Sequence, residues 1–433
     1  MMEQKDMLKL IGLLREDMQP ALGVTEPGAI ALAVAEAASH VTGPLASVHV
    51  AMNSGMYKNA FTCGIPNSDQ VGNVFAAALG VVAGDPSKGL EALAGVTPDD
   101  NVKAQALIDA GKVSVSVSEI TPRIFIQADV KTDTDQCRVT IVDKHTNIVE
   151  IILNGKTLYK KDGAEGAAEA AQEEGARIHG YTLAGLCEFV DSVPLADLEF
   201  IRQAYVVNYD LFEEGLHSPR TTFAKSLYQQ NHEQVISDDE VATAQLLCNA
   251  AIEARVIGLD KPAMSITGSG AHGIICTMPL YGVCKIHALP EEKLLRATAL
   301  SYLVTMYIKE YSGRLSAFCG CAIAAGTGMA CALVYLKGGG LAAMVRTINN
   351  MAASITGMIC DGGNQGCTMK GIVAVDTAFR SVRFALQGVC IDDVHSIIGK
   401  TPEQTFRNMG RIASPGMTAT EKTIIDIFED KQN

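Results

Sequence analysis

Two short segments carry most of the chemistry this chain could do: Phe318-Cys319-Gly320-Cys321, and further on Cys360-Asp361-Gly362-Gly363-Asn364-Gln365-Gly366-Cys367. Thiolates are soft ligands, and glycines beside them let the backbone approach a bulky inorganic centre. Three glycines between Cys360 and Cys367 exclude regular helix there, while the apolar runs Ala352 to Ile359 and Ile372 to Leu386 read as helices on either side. Both thiols then sit at the mouth of a helix–loop–helix and can point at one centre. Cys319 and Cys321 fall near the start of a helix, whose positive end favours a thiolate. Four cysteines would satisfy a structural zinc, although zinc sites usually show a tighter Cys-x-x-Cys knuckle. A 4Fe–4S cluster held by three of them would leave one iron open to a substrate, where it acts as a Lewis acid. The bland alternative is a glycine-bearing helix junction with buried free thiols.

Thr267-Gly268-Ser269-Gly270-Ala271-His272-Gly273 is the second rich segment, with three glycines, two hydroxyls and a histidine. Consecutive backbone N–H groups in such a loop form a nest for an anion such as a carboxylate. His272 reads either as a proton carrier or as a polar loop residue. A further loop candidate runs from Lys58-Asn59 to Gly64-Ile65-Pro66-Asn67, offering a cation, an amide and a rigid turn.

These segments need a scaffold, and the composition supplies one. The 433 residues suffice for two or three domains with sizeable cores. The chain is 48% apolar but only 5% aromatic, without tryptophan, so the core is aliphatic and suited to close helix packing. A formal charge of −13 argues against a nucleic-acid partner, because phosphate binding needs a basic surface. Met1 to Gln19 mixes charges and apolar residues and reads as an amphipathic helix, so a secretory signal is not expected there. Of the twelve cysteines, Cys187, Cys248, Cys276, Cys284, Cys331 and Cys390 lie singly in apolar sequence, as small buried hydrophobes of a reducing compartment would. The expectation is a cytoplasmic protein. Leu315 to Leu336 carries no charge and has the length of a membrane span. Its many Gly and Ala residues and flanking Arg314 and Lys337 read better as a helix buried in a helical body, so no membrane is expected.

Helices are expected over 5–18 and 27–42, with Thr25 as N-cap and Pro27 in the first turn. A strand over Ser47 to Met52 and helices over Val71 to Ala83 and Val102 to Ala110 follow. Val113, Val115 and Val117 alternate with Ser114, Ser116 and Ser118, as in a strand with one wet face. Arg123 to Val130, Cys137 to Asp143 and Asn147 to Asn154 read as further strands. His145-Thr146-Asn147 turns between the last two. Short connections imply an antiparallel sheet. Lys160 to Gly175 reads as a connector or surface helix, and the sequence from Thr182 onward is helical. The expected fold class is α+β: a sheet-bearing domain over 43–165, and a mostly helical domain from 1–42 and 166–433 that carries the cysteine motifs.

In this order the segments resemble the L-cysteine desulfidase group within the wider iron–sulfur L-serine dehydratase alpha-chain family. The resemblance runs through Gly23-Val24-Thr25-Glu26-Pro27, Lys58-Asn59 with Gly64-Ile65-Pro66, Gly268 to Gly273, Cys319-Gly320-Cys321, and Gly357 to Cys367. It implies an oxygen-sensitive 4Fe–4S cluster and β-elimination from a small L-amino acid, yielding pyruvate, ammonia and sulfide or water. Carried over by position, Cys360, Cys367 and one of Cys319 or Cys321 would hold the cluster, with Cys319 slightly favoured. His272, Lys58 and Glu26 become candidate catalytic residues, and Thr25, Asn59, Ser269 and Gly270 candidate substrate contacts. The expected partner is the amino-acid substrate, and a homodimer is the candidate assembly.

One position departs from the pattern. Desulfidase-like sequences usually read Gly-Cys-Thr-Glu-Pro where this chain has Val24. That cysteine would be a proton acceptor or cluster contact, and valine can be neither. L-Cysteine is the first expected substrate, with L-serine or a catalytically silent iron–sulfur or thiol sensor as alternatives.

Overall fold

The computed structural model describes residues 2–161, 178–313 and 315–431. The expected connector at 160–175 falls almost entirely outside them, as does Arg314. Eight strands are described: β1 Gln19–Leu22, β2 Leu45–Asn53, β3 Val113–Glu119, β4 Phe125–Thr132, β5 Gln136–Val142, β6 Ile148–Leu153, β7 Lys156–Lys160 and β8 Pro262–Ser265.

Six of them form one sheet in the order β3-β2-β4-β5-β6-β7. From β2 through β7 every neighbour is antiparallel, as the short connections require. The outer pair β2–β3 is parallel, with Val48 opposite Val113 and Val50 opposite Val115, so the expected antiparallel pattern fails at β3 alone. The chain between these strands contains the helices Ser54–Ala60, Asn73–Ala83 and Pro98–Asp109. A crossover that long returns the strand in the same direction. Alternation sets the buried face: Ile126, Ala128 and Val130 of β4 and Cys137, Val139 and Ile141 of β5 are all buried. The helix Thr25–Ser39 lies against β4 and β5. It is buried nearly all round, which is why its sequence shows little amphipathic pattern.

The helical body stacks Glu240–Val256, Gly270–Ile286, Glu291–Ser312, Gly326–Leu336, Leu341–Ile355 and Gly366–Leu386 through small and aliphatic residues. A two-stranded antiparallel ribbon, β1 with β8, ties the N-terminal segment to this body. The uncharged stretch from Leu315 splits into an irregular segment, a π-helical turn Cys321–Ala325 and the buried helix Gly326–Leu336. Among the described residues no helix is long and apolar enough to cross a membrane.

Candidate functional site

The two cysteine segments are joined by the backbone before any metal is considered. Cys319 N–H donates to the Met358 carbonyl (3.1 Å) and Cys360 N–H to the Ala317 carbonyl (2.6 Å). Phe318 and Ile359 pair as an isolated antiparallel bridge. This short zipper holds Cys319 and Cys321 beside Cys360 and Cys367, although the pairs are far apart in sequence. Cys321 opens the π-helical turn, a local widening that often marks functional positions.

A cleft lies over this junction, and Cys321, Cys360 and Cys367 all line it. Cys319 is buried and does not. Hydrogen bonding between Cys321 and Cys319 draws the Cys319 thiol down to about 7 and pushes Cys321 up. Burial raises Cys367 to about 12, and the charge of Cys360 adds to the effect. The raised thiols of Cys321 and Cys367 ionise readily only with compensating positive charge, as bound metal provides. Lys370 contributes some of that charge, being ion-paired with Asp361 and close to Cys367 and Cys360. Among the described residues no three His, Cys, Asp or Glu side chains close around a single ion. A four-iron cluster is broader than one ion, so its thiol ligands stand further apart. The donor set therefore fits such a group by chemistry: three soft thiols on one wall, beside Gly320, Gly362 and Gly363 with no side chains to obstruct it.

The opposite walls come from helix starts. The helices Thr25–Ser39, Gly270–Ile286 and Gly366–Leu386 each place first-turn residues in the cleft. The first two helix starts carry no side-chain cap, so their positive ends face the cleft, whereas Gly366, Cys367 and Thr368 N–H already donate to Asn364 and Gln365. Val24, rather than Thr25, occupies the N-cap position of the first helix. The Thr25 hydroxyl instead donates to Glu26 Oε2 (3.2 Å), while Asn59 Nδ2 donates to Glu26 Oε1 (2.8 Å). His145, which the sequence offered only as a turn residue, reaches the cleft with Nε2 3.9 Å from Glu26 Oε1.

His272 stands at the start of the Gly270–Ile286 helix and is buried. Thr267 Oγ1 directs its proton to the Ile266 carbonyl (2.7 Å) and lies 2.6 Å from His272 Nδ1. With the hydroxyl proton on that carbonyl, Nδ1–H donates in this contact and Nε2 carries the lone pair. Nε2 faces Gly320 so closely that a Cβ there would meet it at 2.6 Å. Burial, and then Lys309 and Arg255, lower the His272 pKa well below its ordinary value, keeping the ring neutral. Thr267 adopts φ +53°, unusual for a β-branched residue, and its N–H is anchored to Asp17 Oδ2 at 2.6 Å.

The structure thus brings Thr25, Glu26, Asn59, Ser269, His272, Cys321, Cys360 and Cys367 to one cleft, with Gly270 and Cys319 just behind its lining. Lys58 is placed otherwise. It sits in the helix Ser54–Ala60, not in a loop, and is 1% exposed. Its Nζ donates to the Ser316 and Cys360 carbonyls (2.9 Å each) and pairs with Glu421 at 3.1 Å. These contacts hold the ammonium behind the cleft rather than in it. Sequence reasoning missed Arg255, Lys309 and His145, all of which line it. Charged residues within helices usually face water, so nothing in the string alone marked Arg255 and Lys309 as buried.

Position 24 matters for the same geometry. Val24 is buried in the cleft wall, and a Cβ on Gly363 would meet its Cγ1 at 2.9 Å. The side chain at position 24 therefore faces the loop between Cys360 and Cys367.

Comparison with known proteins gives the family. The chain matches the family described as "Serine dehydratase alpha chain" over residues 87–426, more than half of its length. The "UPF0597 protein" of Clostridium botulinum (strain Okra / Type B1) is 40% identical over 422 residues, covering 97% of this chain and 98% of that protein. A protein of the same name from Caldanaerobacter subterraneus is 35% identical over 430 residues, covering 99% and 100%. Another, from Methanocella arvoryzae, is 35% identical over 427 residues, covering 99% of each. The chain therefore belongs to the serine dehydratase alpha-chain family.

Proposed function

We propose that this protein is an iron–sulfur-dependent cytoplasmic lyase that removes the β-substituent from a small L-amino acid, L-cysteine ahead of L-serine. The observation that carries the reading is one cleft walled by three cysteine thiols, a neutral histidine, a carboxylate and three helix starts. Cys321, Cys360 and Cys367 would hold the 4Fe–4S cluster. When bound, it supplies an open iron that acts as a Lewis acid toward the leaving group.

The remaining roles fall to the chain itself. The carboxylate of Glu26, already oriented by Asn59 and Thr25, suits the substrate ammonium. His272 Nε2, which keeps its lone pair when Nδ1–H donates to Thr267, would take the Cα proton. A neutral imidazole can accept that proton, whereas an imidazolium could not. The helix starts and the apolar walls of Val24, Leu315 and Phe318 exclude water and strengthen the field on the substrate. Elimination gives an aminoacrylate that hydrolyses to pyruvate and ammonia, with sulfide or water as the other product. Cysteine is the favoured substrate because its thiol is the softer ligand and the better leaving group.

A second reading rests on Val24. With valine in the wall facing the Cys360–Cys367 loop, the site lacks a thiol that the desulfidase pattern places there, which suits a silent iron–sulfur or thiol sensor. One experiment separates the readings: anaerobic release of pyruvate and sulfide from L-cysteine, and of pyruvate from L-serine, by the native protein and Val24→Cys. The lyase reading expects product from L-cysteine, with a higher rate for Val24→Cys. Protein that holds iron but gives no product in either form, above free-cluster controls, leaves the sensor.

A further inference from the structure

Arg255 is a buried charge with no assigned work. It lies near the end of the helix Glu240–Val256, is 4% exposed, and lines the cleft. Its guanidinium forms no hydrogen bond or ion pair among the described residues, and Nε is buried without a partner. A buried cation without a counterion is costly, so such a group is kept where a ligand completes it. The obvious internal anion is already taken: Glu26 accepts from Asn59 and Thr25 and stands 3.9 Å from His145.

The surroundings of Arg255 are built to present it. The helix Gly270–Ile286 begins beside it, and Ser269 at its N-cap makes no side-chain capping bond. First-turn N–H groups therefore remain available on the same side of the cleft. Gly270 explains the fit, since a Cβ there would meet Arg255 Nε at 2.7 Å and Cδ at 3.0 Å. Any other residue at position 270 would force the guanidinium away. Arg255 and Lys309 also lower the His272 pKa together, which places both charges near the proposed proton acceptor.

We infer that Arg255, with the start of the Gly270–Ile286 helix, forms the receptor for the α-carboxylate of an amino-acid zwitterion whose ammonium faces Glu26. The inference rests on the site binding amino acids, not on turnover. Gly270 is then a residue that makes room for the receptor, and Arg255 sets specificity for a free acid over an amide. A planar guanidinium grips carboxylate oxygens through two donors, which an amide end cannot match.

The test uses L-alanine, which has no β-leaving group, and L-alaninamide, titrated calorimetrically into anaerobically purified protein. The native protein should bind L-alanine, and the amide about ten- to a hundredfold more weakly, the loss expected for a charged hydrogen bond. Arg255→Met should lose a similar factor for L-alanine and treat acid and amide nearly alike. Gly270→Ala, which retains the charge but displaces it, should show the same loss. Ligand-free Arg255→Met should melt no lower than the native protein, since it removes an uncompensated charge. Native-like L-alanine affinity in Arg255→Met overturns the receptor, as does equal native affinity for acid and amide. A lower melting temperature with unchanged L-alanine binding would mark Arg255 as structural, which also overturns it. Failure of L-cysteine turnover with intact L-alanine binding would count against the lyase and leave the receptor standing.

Discussion

His272 shows how a single side chain acquires a role from its neighbours. Its Nδ1 is held by the Thr267 hydroxyl, and its neutrality follows from burial beside two cations. Replacing it with Asn should lower the rate on L-cysteine about a hundred- to ten-thousandfold, the range for a lost proton acceptor, with KM changing less. Stability gives a second readout. The folded pKa is lowered, so the unfolded chain takes up a proton near the ordinary value of 6.5 that the folded protein refuses. The stabilisation is complete above that pH and declines as pH falls toward the folded value, by at most about 1.4 kcal/mol per unit. His272→Asn should flatten the decline, measured as denaturant midpoints between pH 7.5 and 5.5. The sequence offered His272 because glycines surrounded it. It could not offer Arg255 or Lys309, since a cation inside a helix looks solvent-facing until the neighbouring helices are placed.

Elements carry the next part of the argument. The contact between Val24 and Gly363 joins a helix start to the Cys360–Cys367 loop. Gly363→Ala should cost about 1–3 kcal/mol by overpacking. Adding Val24→Ala should recover part of that loss, so a double-mutant cycle should show coupling of about 0.5 kcal/mol or more. Additive effects would mean that the two segments do not press on each other. Strands β3 to β6 were legible because valine and isoleucine alternate with polar residues across them. Strand β7 was not, since all five of its residues are exposed and no alternation marks it. The four-residue strands β1 and β8 are too short for a period to register. The direction of β3 was hidden too, because it is set by the crossover through three helices and not by the strand itself.

At the scale of the molecule, Lys58 and Glu421 link residues 363 positions apart in a buried ion pair. Burial opposes the lysine charge, while Cys360 and Glu421 outweigh it and hold its pKa above the usual value. Phe61 and Phe428 stack at 4.4 Å alongside, fixing the helix Thr418–Asp430 against Ser54–Ala60. Glu421→Gln should cost about 3–5 kcal/mol, because it strands a buried cation. Lys58→Met combined with Glu421→Leu should restore most of that stability in urea titrations while retaining turnover. A double variant that is stable but inactive would return Lys58 to the catalytic group where the sequence reading had placed it.

The Lys58–Glu421 pair also works as a clasp. Lys58 Nζ holds the carbonyls of Ser316 and Cys360, one beside each cysteine segment, and its charge is matched from the helix Thr418–Asp430. The seam that brings the thiols together is therefore fastened from behind by a helix that touches none of them. A change on that rear helix reaches the thiols by loosening the seam, not by altering a ligand.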